Sequence, residues 1–238
     1  QRALAEAKTG KTYKLGRPYS GAMPTFGERK FVLRIPGGPT GGPFGANGLV
    51  YNDEFVATEI GQTGTQFDGL GHIGIAIHGA ADKSQIRYYN GVTQLEIEGA
   101  SGLKKNSVDK LNPIVARGFL IDVAGAKGVA NLEAGYEITM ADVRDALAKQ
   151  GQADVKFLPG DGIFFRTGWG VHWIKDNAKF NSGEPGIGME VAKWLSDTVQ
   201  AGVVGSDTWG LENVPAKDAG CAFCVHAHLL TRHGIVNQ

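Results

Sequence analysis

The sequence predicts a mixed α/β fold, and two observations carry that prediction. Strand-like and helix-like stretches alternate through the second half of the chain, and 42% of the 238 residues are hydrophobic, enough for a substantial core. Taking the elements in order, residues 37–48 are so rich in glycine and proline that they read as a surface loop. Val32 and Ile35 before it and Val50 and Phe55 after it suggest a loop held over the body as a lid on a pocket. Residues 118–124 form a short apolar run with β-branched members and read as a buried strand. A helix follows over 139–147, with Thr139 as N-cap, Asp142 three positions on, Val143, Ala146 and Leu147 on one face, and Gly151 as the stop. The turn Pro159-Gly160-Asp161 introduces a second strand over 162–167. A second helix over 188–200 presents Val191, Ala192, Leu195 and Val199 on one face and leads into a third strand at 202–205.

Composition excludes some function classes. Twenty-four basic residues balance twenty-four acidic ones, which favours neither nucleic acid nor an anionic membrane as partner and leaves a small molecule. No apolar run approaches the ~20 residues of a membrane span, and the first residues show no signal-peptide pattern. The expectation is a cytoplasmic protein with one domain over 1–238. The lack of an initiator Met, an opening that reads as mid-helix and an ending without a terminal element suggest missing residues at both ends. Cys221 and Cys224 make one C-x-x-C pair, a weak signal for metal or redox chemistry, and are expected to be core residues.

The segment 61–72 stands apart. It sets Gln62, Gln66, Asp68 and His72 among glycines 61, 64, 69 and 71, which disfavour a helix. In an extended chain residues two apart share a face, so Gln62, Gln66 and Asp68 can converge. Two amide oxygens and a carboxylate suit a divalent cation, and His72 supplies a nitrogen ligand or a general base. The same side chains would equally serve to hold a glycine-rich loop by bonding its backbone.

The segment resembles the motif H-x-G-T-H-x-D-x-x-x-H of the metal-dependent cyclase and kynurenine formamidase-like hydrolase superfamily. Gly64, Thr65, Asp68 and His72 match it, and Gln62 and Gln66 stand where histidines are usual. The glutamine variant, with a tyrosine following at Tyr88 or Tyr89, is similar to the trans-dienelactone hydrolase branch. Residues 159–169, 205–210 and 225–230 resemble later landmarks in the expected order. The resemblance implies a swivelling β/β/α-type domain with a mixed sheet flanked by helices, and a homo-oligomer. It implies metal ligation by Gln62, Gln66, Asp68 and His226, with Zn²⁺ ahead of Mn²⁺, and catalytic roles for Asp68 and His72. A further glutamate about a dozen residues past His226 has no counterpart before the sequence ends at Gln238.

The activity expected first is opening of a dienelactone-like lactone by metal-activated water. The alternatives are hydrolysis of an aryl-formamide or an isatin-type cyclic amide, and a non-catalytic relative that binds a small ligand. Arg87 and Arg166 are candidates to hold a substrate carboxylate. Trp169, Trp209 and Phe44 are candidates to wall the pocket, Tyr88 is a further substrate contact, and Glu212 is a second-line candidate at a strand end.

Overall fold

The first hundred residues lack long periodic stretches, and they fold into short pairs. In the computed structural model, which describes residues 2–79 and 82–238, a one-turn helix α1 (Arg2–Ala5) opens the chain. Gln1, expected in that helix, lies outside the described residues. Strands β1 (Phe31–Arg34), β2 (Gly41–Phe44), β3 (Leu49–Tyr51) and β4 (Phe55–Thr58) make two antiparallel ribbons, β1 with β4 and β2 with β3. The stretch expected to be a lid is therefore mostly the β2–β3 ribbon. Gly42 is required there: at φ +99°, a Cβ would stand 2.4 Å from the Leu49 carbonyl oxygen. Phe44 stacks on Tyr51 and is 54% exposed, away from any pocket. Strands β5 (Ile75–Ala76) and β6 (Ile86–Arg87) form a third ribbon, and Thr93 with Glu96 makes a capping box on helix α2 (Gln94–Ile97).

The second half alternates as its sequence predicts. In order come β7 (Gly118–Asp122), α3 (Val123–Lys127), β8 (Glu137–Ile138), α4 (Met140–Lys149), β9 (Gly162–Arg166), α5 (Asn177–Asn181), β10 (Gly186–Ile187), α6 (Met189–Lys193), β11 (Val203–Ser206), α7 (Cys224–His226) and β12 (Val236–Asn237). Helix α6 continues as a π-helical turn over Trp194–Val199, and α7 as another over Ala227–Arg232. The main sheet has the order β12-β11-β9-β7, and every pairing in it is parallel. This corrects the expected mixed sheet: antiparallel pairs occur in the separate ribbons, not in the main sheet.

One face of the sheet makes the core. Ile121, Ile163, Phe165 and Val204 pack against Val143, Ala146 and Leu147 of α4, the Val191 to Val199 stripe of α6 and its π turn, and Val225 and Leu229. The apolar faces read from the sequence for both helices are buried. The other face carries Leu120, Phe164 and Arg166 toward a cavity. Arg166, Ser206, Asp207 and Gln238 bring the carboxyl ends of the strands into its lining, where open α/β sheets place ligands.

The start of α4 is fixed by one carboxylate. Asp142 Oδ2 accepts from Thr139 N–H and Oγ1, both at 2.9 Å, while Oδ1 receives Lys127 Nζ at 2.6 Å and Tyr136 Oη–H at 3.0 Å. Burial disfavours ionisation of Asp142, but Lys127 and the Thr139 donors outweigh it and hold its carboxyl below the ordinary carboxylate range. With the folded pKa below the unfolded one, this stabilisation is complete above about pH 4 and is lost as pH falls through the folded value. Asp142→Ala is expected to cost about 2 kcal/mol at pH 7 in urea denaturation. The gap to the wild-type chain should shrink below about pH 4.

Candidate active site

Turns, not an extended strand, bring the polar residues of 61–72 together. Among them only Asp68 makes a β-bridge, to Asn237 of edge strand β12, with Asp68 N–H donating to the Asn237 carbonyl at 2.8 Å. The side chain beyond that pinned backbone is 5% exposed. Gln62 and Gln66 each turn Nε2 to Asp68 Oδ1, at 2.9 and 3.2 Å, and Gln62 Nε2 also lies 3.2 Å from His72 Nδ1. The two glutamines thus meet Asp68 as hydrogen-bond donors. Presenting Oε1 to a cation instead would take a half-turn of each amide.

The other carboxylate oxygen has a different surrounding. Asp68 Oδ2 lies 3.5 Å from His226 Nε2 and 3.7 Å from His72 Nε2. Atoms sharing a tetrahedral ion at the usual ~2.1 Å bond length stand about 3.4 Å apart. The closer pair, Asp68 Oδ2 and His226 Nε2, therefore has the spacing of two ligands on one divalent metal, with His72 beside them and the glutamines orienting the carboxylate from its far side. Burial raises the pKa of Asp68, but His226, His72 and Gln62 together hold it below the carboxylate range. His72 is shifted down, first by burial and partly against the pull of Asp68.

His226 is fixed by a second carboxylate. Glu212 Oε1 lies 2.6 Å from His226 Nδ1, and the Glu212 carboxylate also accepts the backbone N–H groups of Val225 and His226, at 3.1 and 2.9 Å. This single side chain seats the start of α7 and aims Nε2 at Asp68, as carboxylates behind metal-binding histidines do. Burial works against the charged imidazole, but Asp68 and Glu212 on its two nitrogens raise its pKa to about 9. Glu184 does comparable work on the wall: it is 0% exposed and accepts from Trp209 N–H at 2.8 Å and Gly210 N–H at 3.0 Å. Burial pushes it up to about 8 in spite of those amides. Nothing in the sequence marks Glu184 except a carboxylate set in a Gly-Glu-Pro-Gly loop.

These groups face a cavity of about 470 Å³, within the range of small-molecule sites. Gln62, Gln66, Asp68, His72 and His226 line it, as do Arg166 and Trp209. Trp209 stacks on Phe26 at 4.2 Å between ring centroids and 14° between planes, with Phe223 beside it. Arg166 Nη1 is bound to Asp122 Oδ1 at 2.7 Å, whereas Arg29, half-buried over Phe26, also lines the cavity. Two expected substrate contacts lie elsewhere. Trp169 is 0% exposed and donates its indole N–H to the Phe180 carbonyl, and Tyr88 is hydrogen-bonded to Gln94 away from the cavity. Arg87 is tied to the Ser84 carbonyl. Cys221 and Cys224, expected in the core, are half-buried and joined by a disulfide at the entrance to α7.

A buried carboxylate between two imidazoles, on a glycine-rich turn pinned to the edge of a parallel sheet, faces a cavity of small-molecule size. The chain belongs to the Cyclase family, whose model matches residues 13–213. Among solved structures it is similar to a novel cyclase, at 29% identity and a TM-score of 0.78, over 99% of this chain and 75% of that one. It also shares its fold with isatin hydrolase A from Ralstonia solanacearum, at 19% identity and a TM-score of 0.64, over 99% and 82% of the two chains. An isatin hydrolase bound to the product analogue thioisatinate aligns at 16% identity and a TM-score of 0.59, over 98% and 80%. No curated protein sequence matches.

The role of Glu212 is directly measurable. Glu212→Gln should weaken Zn²⁺ or Mn²⁺ binding at the Asp68 site by roughly 10- to 100-fold, read by competition with a chromogenic chelator. Unchanged affinity would show that His226 needs no partner behind it.

Proposed function

We propose that the protein is a metal-dependent hydrolase that opens a cyclic amide fused to an aromatic ring, a substrate of the isatin type. The observation that carries this reading is the convergence of Asp68 Oδ2 with His226 Nε2 and His72 Nε2, at 3.5 and 3.7 Å, on the wall of an aromatic-lined cavity. Family membership and the isatin hydrolase folds nearby support it. The lactone reading, drawn from the glutamine variant of the motif, finds no support among these relatives, and the cyclic amide replaces it.

The imidazole nitrogen of His226 and the Asp68 carboxylate suit Zn²⁺, with Mn²⁺ second. An ion held there supplies water acidic enough to ionise near neutral pH and a Lewis acid for the amide carbonyl. The chain's own groups do the rest. Gln62 and Gln66 hold Asp68 Oδ1 so that Oδ2 faces His226. His72, kept neutral at pH 7 by burial, takes a proton from the attacking water and returns it to the ring nitrogen as the C–N bond breaks. An aryl amine and a carboxylate result, and Arg29 at the cavity wall is placed to hold the carboxylate. The stacked Phe26 and Trp209 offer a flat apolar face to the aromatic ring.

A homo-oligomer belongs to the same proposal. Val32, Leu33, Val50 and Val56 on the N-terminal ribbons are 43–52% exposed, an apolar surface suited to another copy. No helix among the described residues is long and apolar enough to cross a membrane.

Protein supplied with Zn²⁺ or Mn²⁺ should hydrolyse isatin, followed by the change in its absorption, and lose that activity to a chelator. Asp68→Asn should lower kcat/KM by about 10³-fold or more. Trp209→Ala should raise KM roughly tenfold with a smaller effect on kcat, the mark of lost ring binding. Metal-saturated protein that turns over neither isatin nor an aryl-formamide would overturn the enzyme reading in favour of a ligand-binding relative.

A further inference from the structure

We propose a second cation site, separate from the Asp68 cavity, formed by Asp197, His228 and His233 where the π-helical extensions of α6 and α7 meet. Ligand atoms of these three residues all lie within 4.8 Å of one another, and none of the three lines the cavity. Asp197 and His233 are exposed and His228 is buried, so the site opens to solvent on one side and rests on the protein on the other.

The local backbone explains the grouping. Asp197 sits in the π turn Trp194–Val199 and His228 in the π turn Ala227–Arg232, with His233 one residue beyond. π turns are rare, and they frequently mark functional positions because the extra residue re-aims side chains. His226 and His228, two residues apart on a helix, point to different sides. One therefore serves the cavity while the other faces α6.

The ligands are already tied together. Ser196 Oγ lies 2.9 Å from His228 Nε2 and donates to Asp197 Oδ1 at 2.7 Å, and the rings of His228 and His233 stand 4.4 Å apart between centroids. A tetrahedral ion with bonds of ~2.1 Å needs ligand atoms about 3.4 Å apart. The present separations are all within 4.8 Å, and Asp197 and His233 are exposed side chains free to rotate toward that spacing. Lys193 and Arg232 act on His228 from nearby and count against a cation, and the Asp197 carboxylate offsets them in part. Two imidazoles and one carboxylate with an open fourth position select Zn²⁺ over Mg²⁺ or Ca²⁺. An ion there would clamp the π turn after α6 to α7, the helix that delivers His226.

The test is Zn²⁺ stoichiometry by equilibrium dialysis and elemental analysis on the whole chain. The wild-type protein should bind one equivalent more than His233→Ala, a change at an exposed side chain that leaves the core intact. The Asp68→Asn, His226→Ala double variant should still hold one equivalent, lost when His233→Ala is added. Equal zinc in the wild-type protein and His233→Ala would overturn the proposal, as would a folded double variant that binds none. If the double variant fails to fold, the single-variant comparison decides alone.

Discussion

A buried carboxylate must be satisfied on every side, and the structure around Asp68 is organised by that requirement. An ionised group removed from water carries a large desolvation cost unless donors or cations replace the lost solvent. Asp68 meets it with two glutamine amides on one oxygen and two imidazoles facing the other. The four partners come from the turn-rich segment before and after it and from a helix more than 150 residues later. The bridge to Asn237 holds the backbone of that segment against the sheet edge. Two glycines of 61–72 sit where a side chain would collide: a Cβ on Gly64, at φ +68°, would stand 2.5 Å from Tyr19, and one on Gly71 2.5 Å from Leu103.

The rest of the fold delivers partners to this point. The parallel sheet, packed on one face by α4, α6 and α7, leaves its other face and strand ends to form the cavity. Two further buried carboxylates transmit that rigidity. Glu212 grips both the backbone and the ring of the helix residue His226, and Glu184 grips the backbone that carries Trp209. His226 and the Trp209 wall are each held by a buried carboxylate behind them, the kind of support that keeps a site's geometry to a fraction of an ångström.

Much of the frame is legible in the sequence where local chemistry decides. The helix at 139 carries its cap, its box partner and its apolar stripe within nine residues, and the strands at 118, 162 and 203 are short β-branched runs. Parallel pairing in the main sheet is not legible, because it depends on crossovers between segments about 40 residues apart. The ribbon over 41–51 is hidden by its glycines, which read as loop. At the site, the grouping of Gln62, Gln66 and Asp68 is visible, although turns produce it where alternation along a strand was expected. Glu212 is visible as a carboxylate at a strand end. Glu184, Phe26 and Arg29 are not, since each acts through tertiary contacts that leave no spacing in the chain.

The central claim is that Asp68 Oδ2 and His226 Nε2 share a cation while the glutamines steer the carboxylate. The most direct measurement is anomalous scattering at the zinc edge from crystals of the zinc-loaded protein. The zinc peak should lie within bonding distance of both atoms, with Glu212 still on His226 Nδ1. A peak bound by Gln62 and Gln66 without His226, or zinc-loaded crystals with no peak beside Asp68, would contradict it.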